Sequence, residues 1–557
     1  MSNQGQGAVT AVLRAMAGDI AAGAPRGWKR AVLHGYATGQ DSAGHRGFLF
    51  EPAELDEYGS NEIDVFGGLR ELHTLLGAGD HLTVELEVES RGRFRAVLSE
   101  RLDRSESERR GFRYVLDPES TPPASGEPHP GPDVSEAGHP DQAVALLGSF
   151  IRRLEEVLDA GSPIELPPPL PESDRQKLLD EAGVALPRDL RALYAAVDGD
   201  GGRGLLHGYG WFGLEMLAEL CDPARRWWVT QGWRRYVHQP FVKEYGPALR
   251  IRRVADHPAW IPFATDMFGN YLAVDMAPGP RGRPGQVILI GRSHGAGPVY
   301  VADSVTALLR EHVEALASGS FERDGEGLWI NAGEVAQYER DYDHTCTLSV
   351  TGMDAAPVRG IRPEIRELTV SNAPWVDFGP VRRAPALWRV TTKNCPGADL
   401  SPLLEAPVEV LDLDLVAIDL AGLEAHPTLR KVALHTEKPV DLRPLLSCRL
   451  LWALDLTDAP AADLSVVREL TALRQLKLQR PQWDSLRSGG VLPASLAIAE
   501  LAEEPLRERK LFWSFDNAYK SPRPTLEDAI DWTRHLAGDA ADVRTFRGRF
   551  RPRPAGQ

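Results

Sequence analysis

The stretch LRKVALHTEKPVDLRPLLSCRLLWALDLTDAPAADLSVVREL, residues 429–470, carries one six-residue pattern twice: aliphatic, two variable residues, aliphatic, one variable residue, aliphatic. The pattern starts at Leu429 and Leu451. Working outward, it also starts at Ile365, Leu387 (with Thr392 in the last aliphatic place), Val408 and Leu473, so that successive starts are 22, 21, 21, 22 and 22 residues apart. A second register runs through the same units, with Asp377-Phe378, Asp399-Leu400, Asp419-Leu420, Asp441-Leu442 and Asp463-Leu464. A period of this length marks stacked repeats. Each unit is too small to bury its own apolar face, so neighbours must share one continuous core and display an extended parallel sheet. Such a sheet binds macromolecules more readily than it does chemistry.

In each strand the aliphatic residues face the core and the variable ones face the open sheet, with a local break at the doubled variable pair. The first variable column reads Arg366, Trp388, Glu409, Arg430, Trp452 and Arg474. Adjacent strands lie about 4.8 Å apart, which brings Arg–Trp stacking within reach. Trp and Arg are also the residue types most enriched at interface hot spots. Arg366, Trp388, Arg430, Trp452 and Arg474 are therefore candidate partner-binding residues on an exposed face.

The units resemble the internalin-like leucine-rich repeats over about residues 360–480. They depart from that pattern at the Asn that ladders the turn after the strand: Asn372 and Asn394 sit one residue early and the later units lack it. The resemblance implies a leucine-rich-repeat solenoid, placed at 365–494, with residues 319–364 as junction and repeat cap. Residues 495–557 then read as a helical cap and a basic tail, RTFRGRFRPRPAGQ.

A chain of 557 residues exceeds one core. No run approaches the roughly 18 apolar residues of a membrane helix, and the first residues lack a signal-peptide pattern, so a cytoplasmic protein with no membrane partner is expected. Cys221, Cys346, Cys395 and Cys448 are too scattered for a disulfide framework or a zinc site. A net charge of −16 disfavours nucleic acid, whose phosphates need clustered cations, and suits a basic protein partner. The sequence leaves the oligomeric state open.

Residues 1–117 read as a small α+β domain, with a hairpin around Ser90–Gly92 in HLTVELEVESRGRFRAVLSERL and GFRYVLDP closing it. Its order resembles the YezG-type immunity domains. Residues 118–141 form an acidic, Pro-rich linker. Residues 142–318 form a second domain. Its pieces LPRDLRALYAAVDGD at 186–200, WIPFATDMFGNYLAVDM at 260–276 and GQVILIG at 285–291, followed by a helix after VADS, resemble the SUKH superfamily, also called the Smi/Knr family. That resemblance implies an α+β fold with a central, mostly antiparallel sheet, no catalytic residues and no cofactor. It also implies a binding role, in bacteria typically as immunity proteins that neutralise polymorphic toxins, and in a fungal relative regulating cell-wall synthesis. The stretch 227–258 is longer and more aromatic than the usual connection, and Trp233, Arg234, Arg235 and Tyr236 within it are further partner-binding candidates.

Catalytic constellations are not evident. There is no phosphate-cradling loop with Lys, no H-E-x-x-H, no C-x-x-C and no G-x-S-x-G. His344 and Cys346 would share a strand face, yet nothing near them in sequence supplies an oxyanion donor. Asp412 and Asp419 fall at repeat positions, and Asp414 is expected in a turn. The whole reads as a multidomain α+β protein that is not an enzyme: an immunity protein occluding a toxin, or alternatively a scaffold or regulatory adaptor binding a cellular protein through its repeat sheet.

Overall fold

A computed structural model describes residues 3–38, 42–51, 63–79, 81–104, 111–120, 123, 131–158, 163–206, 208–222, 241–324, 327–330, 333–352, 357–502 and 526–551. The chain forms two compact units, one of residues 1–120 with 453–557 and one of residues 121–452.

The first unit begins with α1 (Asn3–Gly23), whose Val9, Leu13, Met16, Ala17 and Ile20 recur at helical spacing and are buried. Strands β1 (Arg30–Thr38) and β2 (Ser42–Glu51), helix α2 (Phe66–Leu76), and strands β3 (Leu82–Glu89) and β4 (Arg93–Ser99) follow. The hairpin read from the sequence is present: β3 and β4 pair from Thr83↔Ser99 to Glu89↔Arg93. Gly92 supplies the positive φ of 81° that the turn needs. Val84, Leu86 and Val88 alternate inward with Phe94, Ala96 and Leu98. Strands β5 (Leu102–Arg104) and β6 (Phe112–Val115) differ from expectation, because they do not close this sheet.

The second unit opens with α3 (Pro140–Leu158), α4 (Glu172–Ala182), α5 (Arg188–Ala196), β7 (Gly210–Trp211) and α6 (Leu214–Cys221). Strands β8 (Trp260–Thr265), β9 (Asn270–Asp275), β10 (Gln286–Gly291) and β11 (Val299–Ala302) follow, then α7 (Val305–Ser318). The sheet order is β11-β10-β9-β8-β7, antiparallel throughout. Carboxylates hold this domain together. Buried Asp189 accepts hydrogen bonds from the Thr306 amide and hydroxyl at 2.9 Å, tying α5 to the start of α7. Asp198 accepts the Leu214 amide at 2.9 Å, and Asp200 accepts the amides of Gly202 and Leu205. Buried Asp275 accepts from the Ala277 amide and the Gln286 side chain. The linker expected to be unfolded to residue 141 is docked before then: the Ala137 amide donates to the Pro284 carbonyl and Ala137 is buried.

Strands β12 (Phe321–Asp324) and β13 (Gly327–Ile330) form a small hairpin, and α8 (Gly333–Thr345) leads into the solenoid. Strand β14 (Thr347–Thr351) pairs in parallel with β15 (Glu367–Ser371), so the segment CTLSV opens the repeat sheet. Two-residue strands β16 (Val376–Asp377) and β18 (Ala398–Asp399) pair beside it. The main sheet continues through β17 (Arg389–Cys395), β19 (Val410–Leu415) and β20 (Lys431–His435), each parallel to the one before. The Asp of each second-register pair accepts the backbone N–H two residues on, at 2.9 Å from Gly379 to Asp377, 3.0 Å at Asp399 and Asp419, and 3.1 Å at Asp441. These are Asx turns that start the short 3-10 helices. Asn372 and Asn394 both adopt positive φ and join side chain to side chain at 2.7 Å, a two-rung remnant of the Asn ladder.

The chain then returns to the first unit through β21 (Ala453–Asp458), β22 (Gln475–Leu478), α9 (Arg480–Ser488), β23 (Ile498–Leu501), α10 (Leu526–Ala537) and β24 (Arg544–Arg549). Strands β21, β22 and β23 run parallel, and β23 then pairs antiparallel with β6, which pairs with β5. A buried ion pair, Arg113 to Glu500 at 3.1 Å, clamps β6 to β23. Residues 544–549 of the basic tail form β24. β24 pairs with β4 from Arg544↔Leu98 to Arg549↔Arg93, as the last strand of the order β2-β1-β3-β4-β24. Phe546 and Phe550 pack into the N-terminal core while Thr545, Arg547 and Arg549 point outward. Residues 1–117 and 495–557 are thus parts of one unit.

Candidate protein-binding surface

The column expected to face solvent is buried. Arg366, Trp388, Glu409, Arg430 and Trp452 are all at most 3% exposed. They pack on the segment 241–253 of the preceding domain and on α8. Arg366 donates to the carbonyls of Glu244 and Gly246, both at 2.5 Å, and lies over the Tyr342 ring. Phe241 stacks on Trp452 at 5.4 Å and on Trp388 at 6.5 Å between centroids. The Arg253 guanidinium sits 4.5 Å above the Trp388 ring and pairs with Glu409, which also lies 3.4 Å from Arg430. Burial pushes the Glu244 carboxyl above its usual range against the pull of Arg366.

The physical reason for this correction is local. A sheet with a Trp–Glu–Arg column is a good docking face, and the 241–253 segment carries complementary Phe241, Glu244 and Arg253 on the same chain. Arg474 lies in the other unit, half-buried, with its guanidinium on the Ser495 carbonyl at 3.1 Å. Trp233, Arg234, Arg235 and Tyr236 lie outside the described residues.

The strand positions that the repeat sheet leaves open are polar. Thr369, Thr391, Asp412, Lys431 and His435 are half-buried and Lys393 is exposed, with His435 paired to Asp412 at 3.2 Å. Asp414 is in β19 rather than in a turn, and its carboxylate accepts the Asn394 amide at 3.0 Å. His344 closes helix α8 and Cys346 follows it, buried, so the two do not share a strand face. Among the described residues no group of three His, Cys, Asp or Glu side chains can hold a metal ion, and no helix is long and apolar enough to cross a membrane.

Large apolar side chains reach solvent singly at several places, Val134, Trp375, Val416 and Val491 among them, whereas two consecutive ones stand on the β8–β9 turn, in the sequence Thr265-Asp-Met-Phe-Gly-Asn270. Met267 is 84% and Phe268 80% exposed. The turn beneath them is braced. Asp266 accepts the amides of Phe268 and Asn270 at 2.8 and 3.0 Å and the Asn270 side chain at 2.6 Å. Asn270 in turn binds the hydroxyl and amide of Ser293 at 3.2 and 2.8 Å. Met267 holds φ at +65°, a conformation that an ordinary side chain adopts at a cost and glycine adopts freely. Beside the turn, burial and the carboxylates of Asp266 and Glu339 push the Tyr209 phenol up. Sequence reading passed over Met267 and Phe268, although two large apolar residues between Asp and Gly-Asn, in a turn, were the available signal.

Residues 169–311, which include this hairpin, match the SMI1 / KNR4 family (SUKH-1). Similar proteins include the glucan synthesis regulatory protein of Neurospora crassa, 37% identical over 115 residues, 20% of this chain and 21% of that protein. The cell wall biosynthesis/cell cycle regulator smi1 of Schizosaccharomyces pombe is 31% identical over 169 residues, 28% of this chain and 31% of its own length. The KNR4/SMI1 homolog of Eremothecium gossypii is 45% identical over 75 residues, 14% of this chain and 11% of that protein. The matches thus span a third or less of these relatives. Among solved structures, an internalin (inlF) of Listeria monocytogenes aligns with 26% of this chain and 50% of its own at 14% identity and a TM-score of 0.20. Internalin C2 (inlC2) aligns with 29% and 75% at 18% identity and a TM-score of 0.20. The repeat assignment here rests on the register of the parallel strands themselves.

Proposed function

We propose that this chain, whose residues 169–311 form an SMI1 / KNR4 (SUKH-1) domain, is a non-enzymatic binding protein that neutralises a basic protein toxin by occlusion. The toxin docks on the Met267–Phe268 turn. The observation that carries the reading is that braced turn. Two large apolar side chains are held out in water on a backbone fixed by three hydrogen bonds to Asp266, one side chain at an unfavourable φ. Among the described residues the two side chains stay exposed and add nothing to the domain's packing, whereas a rigid apolar anchor loses little entropy on binding. The chain's net charge of −16, most of it between residues 121 and 452, steers a basic partner toward this unit. The solenoid then acts as a platform that holds the 241–253 segment in place.

The test is protection of cells expressing a toxin encoded beside this gene, with affinity measured on the purified pair. Wild type protects, and Met267→Ser with Phe268→Ser fails to protect and weakens binding by about 2 kcal/mol for each anchor. Equal protection by that double variant rejects the turn as the docking site, and absence of protection by wild type rejects neutralisation. The names of the fungal relatives, regulators of glucan synthesis and cell-wall biosynthesis, favour one alternative, a regulatory adaptor that uses the same turn. Its binding through the Trp388/Trp452 column is disfavoured by the burial of those residues.

A further inference from the structure

The unit built from residues 1–120 and 453–557 contains a cavity of about 520 Å³ whose wall brings together Arg468, Thr471, Arg474 and Ser495. Arg468 lies in the last turn of the 3-10 helix Leu464–Glu469, Arg474 immediately precedes β22, and Ser495 stands just before β23, so consecutive repeat units bring both arginines to one cavity. Each is anchored through one nitrogen only: Arg468 Nη2 donates to the Leu486 carbonyl at 2.5 Å and Arg474 Nη1 to the Ser495 carbonyl at 3.1 Å. Among the described residues neither arginine has a carboxylate within ion-pair distance, although the chain holds 79 acidic residues against 63 basic ones. Asp117 also lines the cavity, its carboxylate accepting the Glu119 amide in its own turn at 3.1 Å, and leaves the wall with two positive charges against one negative. Two buried donors on this wall, Arg468 Nε and the Ser495 hydroxyl, have no hydrogen-bond partner among the described residues.

Two guanidiniums on one wall repel, and a buried unpaired donor is unfavourable, so this wall is matched to an acceptor-rich anion. A phosphoryl group offers three oxygens and close to two negative charges, which suits two guanidinium forks and a hydroxyl together. The volume exceeds what phosphate alone fills and falls in the range of small-ligand sites. We propose that this cavity binds a phosphomonoester of sugar-phosphate size, with Arg468 and Arg474 on the phosphoryl oxygens and the remaining space taken by the ester.

The experiment is calorimetric titration of the full chain with ribose 5-phosphate, with inorganic phosphate, and with ribose. Ribose 5-phosphate is expected to saturate one site per chain, more tightly than inorganic phosphate, while ribose gives no binding. Arg474→Gln and Arg468→Gln are each expected to weaken ribose 5-phosphate at least tenfold. Ser495→Ala, which leaves both arginine anchors to backbone carbonyls intact, is expected to weaken it several-fold and guards against a folding defect in the arginine variants. No binding of ribose 5-phosphate at millimolar concentration, binding of ribose as tight as of its phosphate, or unchanged affinity in Ser495→Ala and Arg474→Gln would each overturn the assignment.

Discussion

Replacing Glu409 by Gln is the sharpest test of whether the repeat column is buried against its neighbouring domain. Glu409 is fully buried and stands between Arg253 and Arg430, with the Arg430 Nε at 3.4 Å. At that separation and an effective dielectric of about 20, one charge pair is worth roughly 5 kcal/mol. Desolvation of all three groups cancels much of this, so the intact cluster adds little net stability. Removing its carboxylate is different, because it strips the two cations of their shared counter-charge inside the protein, a change that typically costs about 3–5 kcal/mol. Glu409→Gln keeps shape and volume, so the loss is electrostatic. Urea unfolding followed by tryptophan fluorescence is the assay, since Trp388 and Trp452 sit in the same layer. The midpoint should fall by the equivalent of about 3 kcal/mol or more with little change in slope. Replacing Arg253, Glu409 and Arg430 together by Met should recover most of that loss. A Glu409→Gln variant within about 1 kcal/mol of wild type would mean that water reaches the column, and the burial argument would fail.

Trp388→Ala and Trp452→Ala should each cost about 3–5 kcal/mol of folding stability, as core truncations do, measured by the same denaturation; intact folding with lost partner binding would restore the open-face reading. Met267→Gly should raise stability slightly by relieving the positive φ of 65°, offset by added chain entropy, while weakening partner binding; a thermal melt beside a binding titration checks both signs. Truncation before Arg544 should destabilise the N-terminal sheet by removing β24 and the inward Phe546 and Phe550, read as faster amide exchange in β4. Asp275, pushed by burial from 3.8 to about 7, binds a proton in the folded state that the unfolded chain has lost. Its contribution is therefore complete below about pH 4 and vanishes as pH rises through 7, amounting to about 4 kcal/mol. Stability of Asp275→Asn should lack that component of the pH dependence, and an unchanged profile would refute it.

Much of the repeat sheet was legible because its pattern is redundant: Leu368, Val390, Leu411 and Val432 occupy equivalent paired positions in successive strands. The β3–β4 hairpin was legible because its period is two and its turn needs Gly92. Pairings between distant segments were not. Nothing local in FRYV at 112–115 says that it joins β23 rather than the N-terminal sheet; Arg113 meets Glu500 far along the chain and fastens that pairing. The tail was readable in principle, since Phe546, Gly548 and Phe550 alternate with Thr545, Arg547 and Arg549, but five arginines in fourteen residues drew attention to charge instead of period.

The misreading of the Trp388/Trp452 column has the same origin and points to how binding surfaces can be separated from internal interfaces in such chains. Strand periodicity says which side of a sheet a residue faces, not what covers that side. The column contained its own clue in Glu409: a carboxylate stacked between arginine and tryptophan neighbours is what a self-complementary interface needs. The other half of the complement, Phe241, Glu244 and Arg253, lay in the long aromatic segment that set this domain apart from its resemblance. An aromatic and charged extension on one domain, beside an aromatic and charged column on the next, is more economically satisfied within one chain than by two partners. The exposed pair Met267 and Phe268 has no such complement among the described residues, and its supporting hydrogen bonds fix the backbone without covering the side chains. That asymmetry, rigid below and bare above, is the physical ground for placing the docking site on the β8–β9 turn.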